Sequence, residues 1–440
     1  MERTPGERRM IGKPLGTRCV LRFLSLCLCY TSNMLRLSWT RVPVAGLAVS
    51  LAAFAATTAP EKPTFANDVA PILFERCVSC HRPGEAAPMS FTSYQLVRPW
   101  VKAIRDQVVA RSMPVWLADP HSGSFKNDRR LSQVEIDTIV NWVATGAPEG
   151  DPKRTPPPPS FAEGWQIGKP DVVIDMGRDY DVPAKAVVPY QYFVVPTNFT
   201  EDKWIEAAEI RTTNRATVHH IIVYLQEPGK PAAGSDGMGL LVGYGPGEQP
   251  MIFEPGTARL IKAGTSLRFQ VHYTPNGTAY TDRSYVGLRF AKAPVKYASG
   301  TGQAVSFSLK IPPGDSNYET KSSWTAMTDT QIIDLMPHMH VRGKDFKYTI
   351  TYPDGRQEVL LNVPRYDFNW QLKYDLKEVL NVPKGTRIDC VAHFDNSPNN
   401  KYNPDPTKEV HWGDQTWEEM MIGFFTFIVP VAPPDAPKAE

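Results

Sequence analysis

Residues 264–273 read GTSLRFQVHY, and residues 385–394 read GTRIDCVAHF. In both stretches apolar residues alternate with polar ones, and this period of two predicts a β-strand with one face toward a core. A Gly-Thr turn precedes each strand. Because the two stretches also resemble each other, we expect a faint internal duplication in which each is a strand of its own β-sandwich unit.

A pair of histidines lies upstream of each strand, at nearly the same separation along the chain. His219 and His220 precede the first strand, whereas His338 and His340 precede the second. The repeated spacing supports the duplication. It predicts two all-β, jelly-roll-like sandwich subdomains, which we place at residues 161–300 and 301–432.

The region before these subdomains, residues 58–153, is predicted to be an all-α domain. Ser132 and Glu135 have the spacing of a capping box, and apolar residues then recur at helical intervals. Four prolines at positions 156–159 form a stiff spacer. We therefore predict a linker at residues 154–160 and a multidomain chain.

Residues 1–57 are predicted to be an export signal. Basic residues precede an apolar run at 42–56, which is too short to span a bilayer comfortably and contains a small-x-small cleavage site at 53–55. An earlier apolar run at 19–30 favours Met34 as the true translation start. The mature protein is expected to be periplasmic or secreted, with no transmembrane span after signal removal.

Composition excludes two classes of protein. The 440-residue chain has a net charge of +2 with both signs mixed throughout, so nucleic acid is not an expected partner. Three of the six cysteines lie in the signal, two form one motif and one stands alone: Cys19, Cys27 and Cys29, then Cys77 and Cys80, then Cys390. This is not the pattern of a disulfide scaffold, so a hydrophobic core must hold the mature protein together.

The motif Cys77-Val78-Ser79-Cys80-His81 is Cys-x-x-Cys-His. In this arrangement two thiols add to the haem vinyl groups and the adjacent histidine supplies an axial imidazole to iron. We therefore predict one covalent haem c, which makes the helical region a class I cytochrome c-like domain.

The distal haem ligand is left open among three residues. Met113 precedes a proline in the position expected for a methionine ligand, and a thioether is the usual high-potential partner. Met89 and His121 are the alternatives.

The remaining histidines are concentrated in strand-like motifs. His338 and His340 lie two apart, so on a strand both imidazoles face the same side and can reach one metal ion. His219 and His220 are neighbours, and their joint ligation requires a bulge or strong local twist. His272 lies on the polar face of its strand. Imidazoles suit copper or zinc, whereas a thioether selects copper.

Four motifs together resemble the copper type II, ascorbate-dependent monooxygenases, the family of peptidylglycine α-hydroxylating and dopamine β-monooxygenases. The motifs occur in the family's order over roughly residues 170–430, and they are His219-His220-Ile221-Ile222-Val223-Tyr224, Gln270-Val271-His272-Tyr273, His338-Met339-His340 and Glu418-Glu419-Met420. The resemblance implies two β-sandwich subdomains with one copper each, separated by a solvent cleft. It also implies that dioxygen binds at one of the two coppers.

The resemblance assigns three ligands to each of two copper ions. His219, His220 and His272 would hold the first copper, which stores an electron. The second would be held by His338, His340 and Met420, the catalytic group where dioxygen binds and a C–H bond is hydroxylated. His393 remains an alternative to Met420, because the duplication makes it the twin of His272. His411 is interpreted as structural.

The chain departs from the family at three positions. Met336 replaces an arginine that grips a substrate carboxylate, and Phe424 replaces a tyrosine. Peptide amidation is therefore not expected, and the predicted substrate is an apolar or neutral small molecule. Cys390 has no partner, so the family's disulfides are missing.

The function expected from these residues is an exported monooxygenase that uses dioxygen, with the haem domain passing electrons to the copper domain. Its own electron donor would be an ascorbate-like reductant or a redox protein. The alternative is a non-catalytic haem and copper protein that transfers electrons or binds copper.

The Cys-x-x-Cys-His motif generates a direct prediction. Because both thioether bonds are covalent, denatured wild-type protein should keep its haem stain on a gel, and the Cys77→Ala, Cys80→Ala double variant should lose it. A Cys390→Ala variant is the matched control and should retain the stain. Covalent haem in the double variant would contradict the assignment.

Overall fold

A computed structural model describes residues 58–85, 87–161, 164–230, 239–245 and 249–431. The predicted export signal, residues 1–57, lies outside this range. Of the described helices, none has the length and apolar character needed to cross a membrane.

Helices occupy the first part of the described chain. They are α1 Ala70–Arg76, α2 Tyr94–Val97, α3 Val101–Val109 and α4 Gln133–Ala144, with shorter helical turns at Phe65–Val69, Arg98–Trp100 and Pro152–Arg154. The predicted capping box is present, because Ser132 accepts the Glu135 N–H while the Glu135 carboxylate accepts the Ser132 N–H. Helix α4 buries Ile136, Ile139 and Trp142 in a core shared with α1 and α3.

The rest of the described chain is built from strands. In chain order they are β1 Val172–Asp175, β2 Tyr180–Val182, β3 Gln191–Pro196, β4 Lys203–Arg211, β5 Val218–Gln226, β6 Leu240–Tyr244, β7 Met251–Ile252, β8 Thr257–Ile261, β9 Ser266–Tyr273, β10 Tyr280–Asp282, β11 Tyr285–Phe290, β12 Tyr297–Val305, β13 Lys310–Ile311, β14 Tyr318–Thr325, β15 Thr330–His338, β16 Gly343–Thr351, β17 Gln357–Val363, β18 Tyr374–Val382, β19 Arg387–Phe394, β20 Val410–His411 and β21 Ile422–Pro430.

Most strands form one long sheet and two four-stranded sheets that cover it, and the remaining four form two short pairs, β2-β10 and β13-β20. The long sheet has the order β1-β11-β4-β8-β12-β21-β15-β18, with β7 beside β4. The sheet β3-β9-β5-β6 encloses one hydrophobic core with the first part of the long sheet. The sheet β14-β19-β16-β17 encloses a second core with the other part. This arrangement confirms the β-rich, sandwich-like fold class.

The long sheet continues through the predicted boundary near residue 300. Strand β12 pairs in parallel with β8 of the first half and antiparallel with β21 of the second half. The two halves therefore share backbone hydrogen bonds along a common strand.

The duplicated stretches occupy equivalent places. Strand β9 is second in its four-stranded sheet, and β19 is second in the other. The histidine pairs also lie at corresponding turns, since one begins β5 after β4 and the other ends β15 before β16. The first pair lies on a strand of a four-stranded sheet, whereas the second lies at the end of a strand of the long sheet.

Residues 113–128, here called the strap, leave the helical region and pack on the second half. Trp116 and Phe125 are buried in the second core. The backbone N–H of Asp119 donates to the Asn362 carbonyl at 2.8 Å, and that of Lys126 donates to the Asp375 carbonyl at 2.8 Å. The proline linker is therefore not the sole connection between the helical region and the sheets.

The strap predicts a large stability effect for a residue outside the β domains. Phe125 is 8% exposed and packs at 5.8 Å from the Trp116 ring. Phe125→Ala should lower the free energy of unfolding by about 3 kcal/mol in urea denaturation, because it leaves a cavity in the second core. Leu96→Ala, at a 46% exposed position, is the control and should stay within about 0.5 kcal/mol of wild type. Equal effects of the two substitutions would show that the strap is not part of that core.

Candidate metal sites

The first group of candidate ligands is His219, His220 and His272. His220 lies opposite His272 in the pairing of β5 with β9, and the register of that pair shifts between Val218 and His220. A register shift of this kind is what joint ligation by adjacent histidines would require. It turns both imidazoles toward His272.

The nitrogen atoms of this first group suit a bound metal ion. One ligand nitrogen from each histidine lies within 4.8 Å of the other two. The Nδ1 atoms of His219 and His220 are 3.0 Å apart, and the Nδ1 of His272 is buried with no hydrogen-bond partner. A buried ring nitrogen without a partner is costly unless something binds it. Three convergent imidazoles are ligands typical of copper or zinc.

The second group is His338, His340 and Met420, which line a small cavity of about 10 Å³. The two imidazole ring centroids are 5.3 Å apart. His338 Nδ1 donates to Gln371 Oε1 at 2.6 Å, and His340 Nδ1 donates to the Glu418 carbonyl at 3.1 Å. With both protons on Nδ1, each Nε2 keeps its lone pair for a metal.

Met420 supplies the sulfur of this second group. It is 5% exposed and packs with Ile422 and Phe424 in a small apolar cluster beside the cavity. A thioether next to two imidazoles is a donor set that favours copper.

The two groups lie close together. The Tyr190 ring is 5.5 Å from that of His220 and 6.5 Å from that of His340. The Phe368 ring is 5.6 Å from that of His219 and 6.0 Å from that of His340. The resemblance implied a solvent cleft between two coppers. In this structure two buried aromatic rings occupy the space between the groups, and His220 also lines the small cavity of the second group.

Glu419 anchors the backbone that carries the second group. Its carboxylate accepts the N–H of His340 at 2.8 Å and that of Arg342 at 2.7 Å. Burial raises the pKa of this carboxyl to about 8, while both N–H groups oppose the rise. In the sequence, Glu419 lies within a motif, but no role was predicted for its side chain. The residues around Gln371 gave no indication that it contacts His338.

His393 makes its hydrogen bonds away from these groups. Its Nδ1 lies 2.7 Å from Asp345, and its Nε2 lies 3.4 Å from Glu319. It therefore occupies the position equivalent to His272 but faces carboxylates on both neighbouring strands. This placement favours Met420 over His393 as the third ligand of the second group. His411 is exposed beside Glu409.

A larger cavity of about 560 Å³ adjoins the first group. His219 and His220 contribute to its wall, as do Met336 and Phe424, the two positions where the chain departs from the family. Gln371, which bonds His338, lines it as well. Its volume is that of a small-molecule site.

The Cys-x-x-Cys-His motif follows directly after α1. Cys77 and Cys80 are unpaired thiols, and burial raises the pKa of Cys77 to about 12. The His81 ring stacks on that of Phe91 at 4.3 Å, and its Nδ1 is buried without a hydrogen-bond partner. Two free thiols beside an imidazole with an unpartnered nitrogen fit the attachment of haem c.

The three candidate distal ligands lie in different surroundings. Met89 packs against the helical core, as Cys77 does. Met113 packs against the second core with the rest of the strap. His121 is exposed in the strap. Met113 remains the predicted ligand from its sequence position, and Met89 is the alternative that lies against the same core as Cys77.

Comparisons with known proteins add little. No protein-family model matches the chain, and no curated protein matches it. The major capsid protein P2 of bacteriophage PM2 is 9% identical over 59% of this chain and 99% of its own, with a TM-score of 0.23. Allantoicase is 9% identical over 49% of this chain and 81% of its own, with a TM-score of 0.16. Likenesses this weak carry no argument about fold or function.

The buried imidazoles predict how stability depends on pH. Burial lowers the pKa of His338 to about 4 and those of His272 and His340 to about 3. The unfolded chain titrates near pH 6.5, so between about pH 6.5 and 4 it binds protons that the folded, metal-free protein does not. The free energy of unfolding should therefore fall as the pH drops, by up to about 1.4 kcal/mol per pH unit for each histidine.

Urea denaturation of metal-free protein at about pH 7.5 and about pH 5 measures this slope. His340→Gln should flatten it, whereas His411→Gln, at an exposed position, should leave it unchanged. An identical slope in wild type and both variants would contradict the interpretation.

Proposed function

We propose that this protein is an exported copper-dependent monooxygenase that hydroxylates a C–H bond of a small molecule and receives electrons through a c-type haem. The observation that carries the proposal is the second group. There two imidazoles have their Nδ1 atoms occupied by Gln371 and Glu418, and a buried thioether lies beside them. Bound there, copper would supply one-electron redox chemistry and a place for dioxygen.

The two groups would have different tasks. His219, His220 and His272 offer three imidazoles and would hold a copper that stores an electron. His338, His340 and Met420 would hold the copper at which dioxygen binds. Different donor sets give the two sites different preferences for oxidation state, which suits a reaction that takes up electrons one at a time.

Surrounding residues hold the second group in place. Gln371 and the Glu418 carbonyl fix the tautomers of His338 and His340. Glu419 fixes the backbone of the turn by accepting the N–H groups of His340 and Arg342. Partners of this kind commonly set ligand orientation and metal affinity.

The 560 Å³ cavity is where the substrate would bind. Met336 and Phe424 form an apolar wall near the second group, so the C–H bond to be attacked would belong to an apolar part of the substrate. The rings of Tyr190 and Phe368 lie between the two groups.

The haem motif lies near the first group in the fold. Arg82 pairs with Glu85 at 2.7 Å, and Glu85 also pairs with Arg215, which lies in the turn that leads into His219. Ser79, Cys80 and Arg215 line one small cavity at this junction. The arrangement supports electron transfer from a haem at Cys77 and Cys80 toward the first group, with an ascorbate-like reductant or a redox protein as the upstream donor.

One observation favours a second candidate function. The aromatic rings of Tyr190 and Phe368 leave no open cleft between the two groups. A protein that only binds copper or relays electrons needs no access for dioxygen and substrate. The alternative is therefore a non-catalytic haem and copper electron-transfer protein.

Rapid mixing of reduced, copper-loaded protein with dioxygen and neutral candidate substrates separates these functions. A monooxygenase should consume dioxygen, release a hydroxylated product and reoxidise its haem after its copper. The His338→Ala, His340→Ala double variant should lose product formation and slow haem reoxidation by at least about 100-fold, since a catalytic metal contributes several kcal/mol.

His393→Gln is the matched control, because this histidine bonds Asp345 and Glu319 instead of lining either cavity. It should leave both rates unchanged. Haem reoxidation at the wild-type rate in the double variant, without product, would support the electron-transfer alternative.

A further inference from the structure

Arg259 is a buried cation in the wall of the 560 Å³ cavity. It lies on β8 and is 8% exposed. Its Nη2 donates to the Thr301 hydroxyl at 2.9 Å, whereas its Nε is buried without a hydrogen-bond partner. Within the described part of the chain Arg259 forms no ion pair, and Asp334 acts on it only through longer-range attraction.

A guanidinium with an unpartnered Nε and no ion pair is costly to bury. Burial lowers the pKa of Arg259 to about 10, so the group is still charged at neutral pH. A charge removed from water needs a partner of opposite sign and satisfied hydrogen bonds, and among the described residues Arg259 donates to the neutral hydroxyl of Thr301 instead. Arginine is the residue that binds carboxylates most specifically, through two parallel N–H donors.

The other charges of the cavity wall leave an excess of positive charge. Among the described lining residues, four are cationic and three are acidic: Lys126, Arg129, Arg259 and Lys373, then Glu254, Asp334 and Asp375. Lys373 is 2.6 Å from Asp375 and 3.6 Å from Asp334, and Lys126 is 3.9 Å from Glu254. All three acids therefore lie within ion-pair distance of a lysine, whereas Arg259 has no acid within that distance among the described residues.

The apolar wall of the same cavity lies toward the metal groups. Met336 and Phe424 belong to it, together with His219 and His220. A ligand that fills this cavity would meet an apolar surface beside the metal groups and a cation elsewhere on the wall. The cavity therefore suits an amphipathic molecule better than a wholly neutral one.

We propose that Arg259 is a specificity-determining residue that binds the carboxylate of a small amphipathic acid whose apolar part lies against Met336 and Phe424. This refines the expectation of a neutral substrate, because the charge is bound by a residue of the first half and not at Met336. Which end of the bound acid would react depends on the proposed monooxygenase function. Binding of the acid does not require copper.

Calorimetric titration of metal-free, full-length protein with matched acids and amides tests the proposal. The probes are hexanoate with hexanamide and phenylacetate with phenylacetamide, since each pair differs mainly in charge. For at least one pair the acid should bind about tenfold to 100-fold more tightly than its amide, the range expected for hydrogen bonds to a charged group. Arg259→Met should remove this preference while leaving amide affinity within about twofold.

Two further variants make the result specific. Arg259→Lys keeps the charge without the two parallel donors and should retain part of the preference. Arg356→Met removes an arginine that is exposed beside Tyr352 and absent from the cavity wall, and it should bind both probes like wild type. No acid preference in any wild-type pair, or an equal loss of acid and amide binding in Arg259→Met, would overturn the proposal.

Thermal unfolding without ligand gives a readout that is independent of the probes. If Arg259 is kept for ligand binding, Arg259→Met should unfold at the same or a higher temperature than wild type, because an unpaired buried charge is removed. A lower unfolding temperature would mean that the guanidinium is structural, through Thr301 and Asp334. Because neither measurement uses copper, dioxygen or haem, failure of this proposal is distinct from failure of the proposed function.

Discussion

Four imidazoles pack around Tyr190 and Phe368, and His338 adjoins them through His340; the removal of this cluster from water is the constraint on which the rest of the site depends. An imidazole removed from water must stay neutral and must find partners for its two nitrogens. The chain provides such partners for His338 and His340 through Gln371 and Glu418. It provides none for the Nδ1 atom of His272. This difference within one buried cluster is the physical argument for a bound metal ion at the first group.

The long sheet explains why the two groups meet. Strand β12 pairs with β8 on one side and β21 on the other, so the two cores lie along one hydrogen-bonded surface. Each histidine pair lies at the turn where the chain crosses from the long sheet to a four-stranded sheet. The duplication thus places equivalent turns side by side, and side chains from both can line a common space. At the position equivalent to His272, His393 instead contacts the carboxylates of Asp345 and Glu319.

Features set by residues close together in the sequence could be predicted, whereas contacts between residues far apart in the sequence could not. Alternation fixed the buried face of β9, where Leu267, Phe269 and Val271 are fully buried and His272 is on the other side. Adjacent histidines predicted a bulge, because a regular strand cannot turn neighbours to one face. The pairing of β12 and the packing of the strap join residues far apart in sequence. No local period encodes such contacts, so Arg259, Gln371 and the role of Glu419 could not be predicted.

The helical region contacts the β domains at more places than the proline linker. From the sequence, the stiff spacer at residues 156–159 was the predicted connection between them. In the structure the strap is buried in the second core, and Glu85 connects Arg82 with Arg215 near the first group. The Cys-x-x-Cys-His motif is therefore held at one place on the β domains. Because Arg215 lies in the turn that leads into His219, this ion pair brings the motif to the turn that carries the first group.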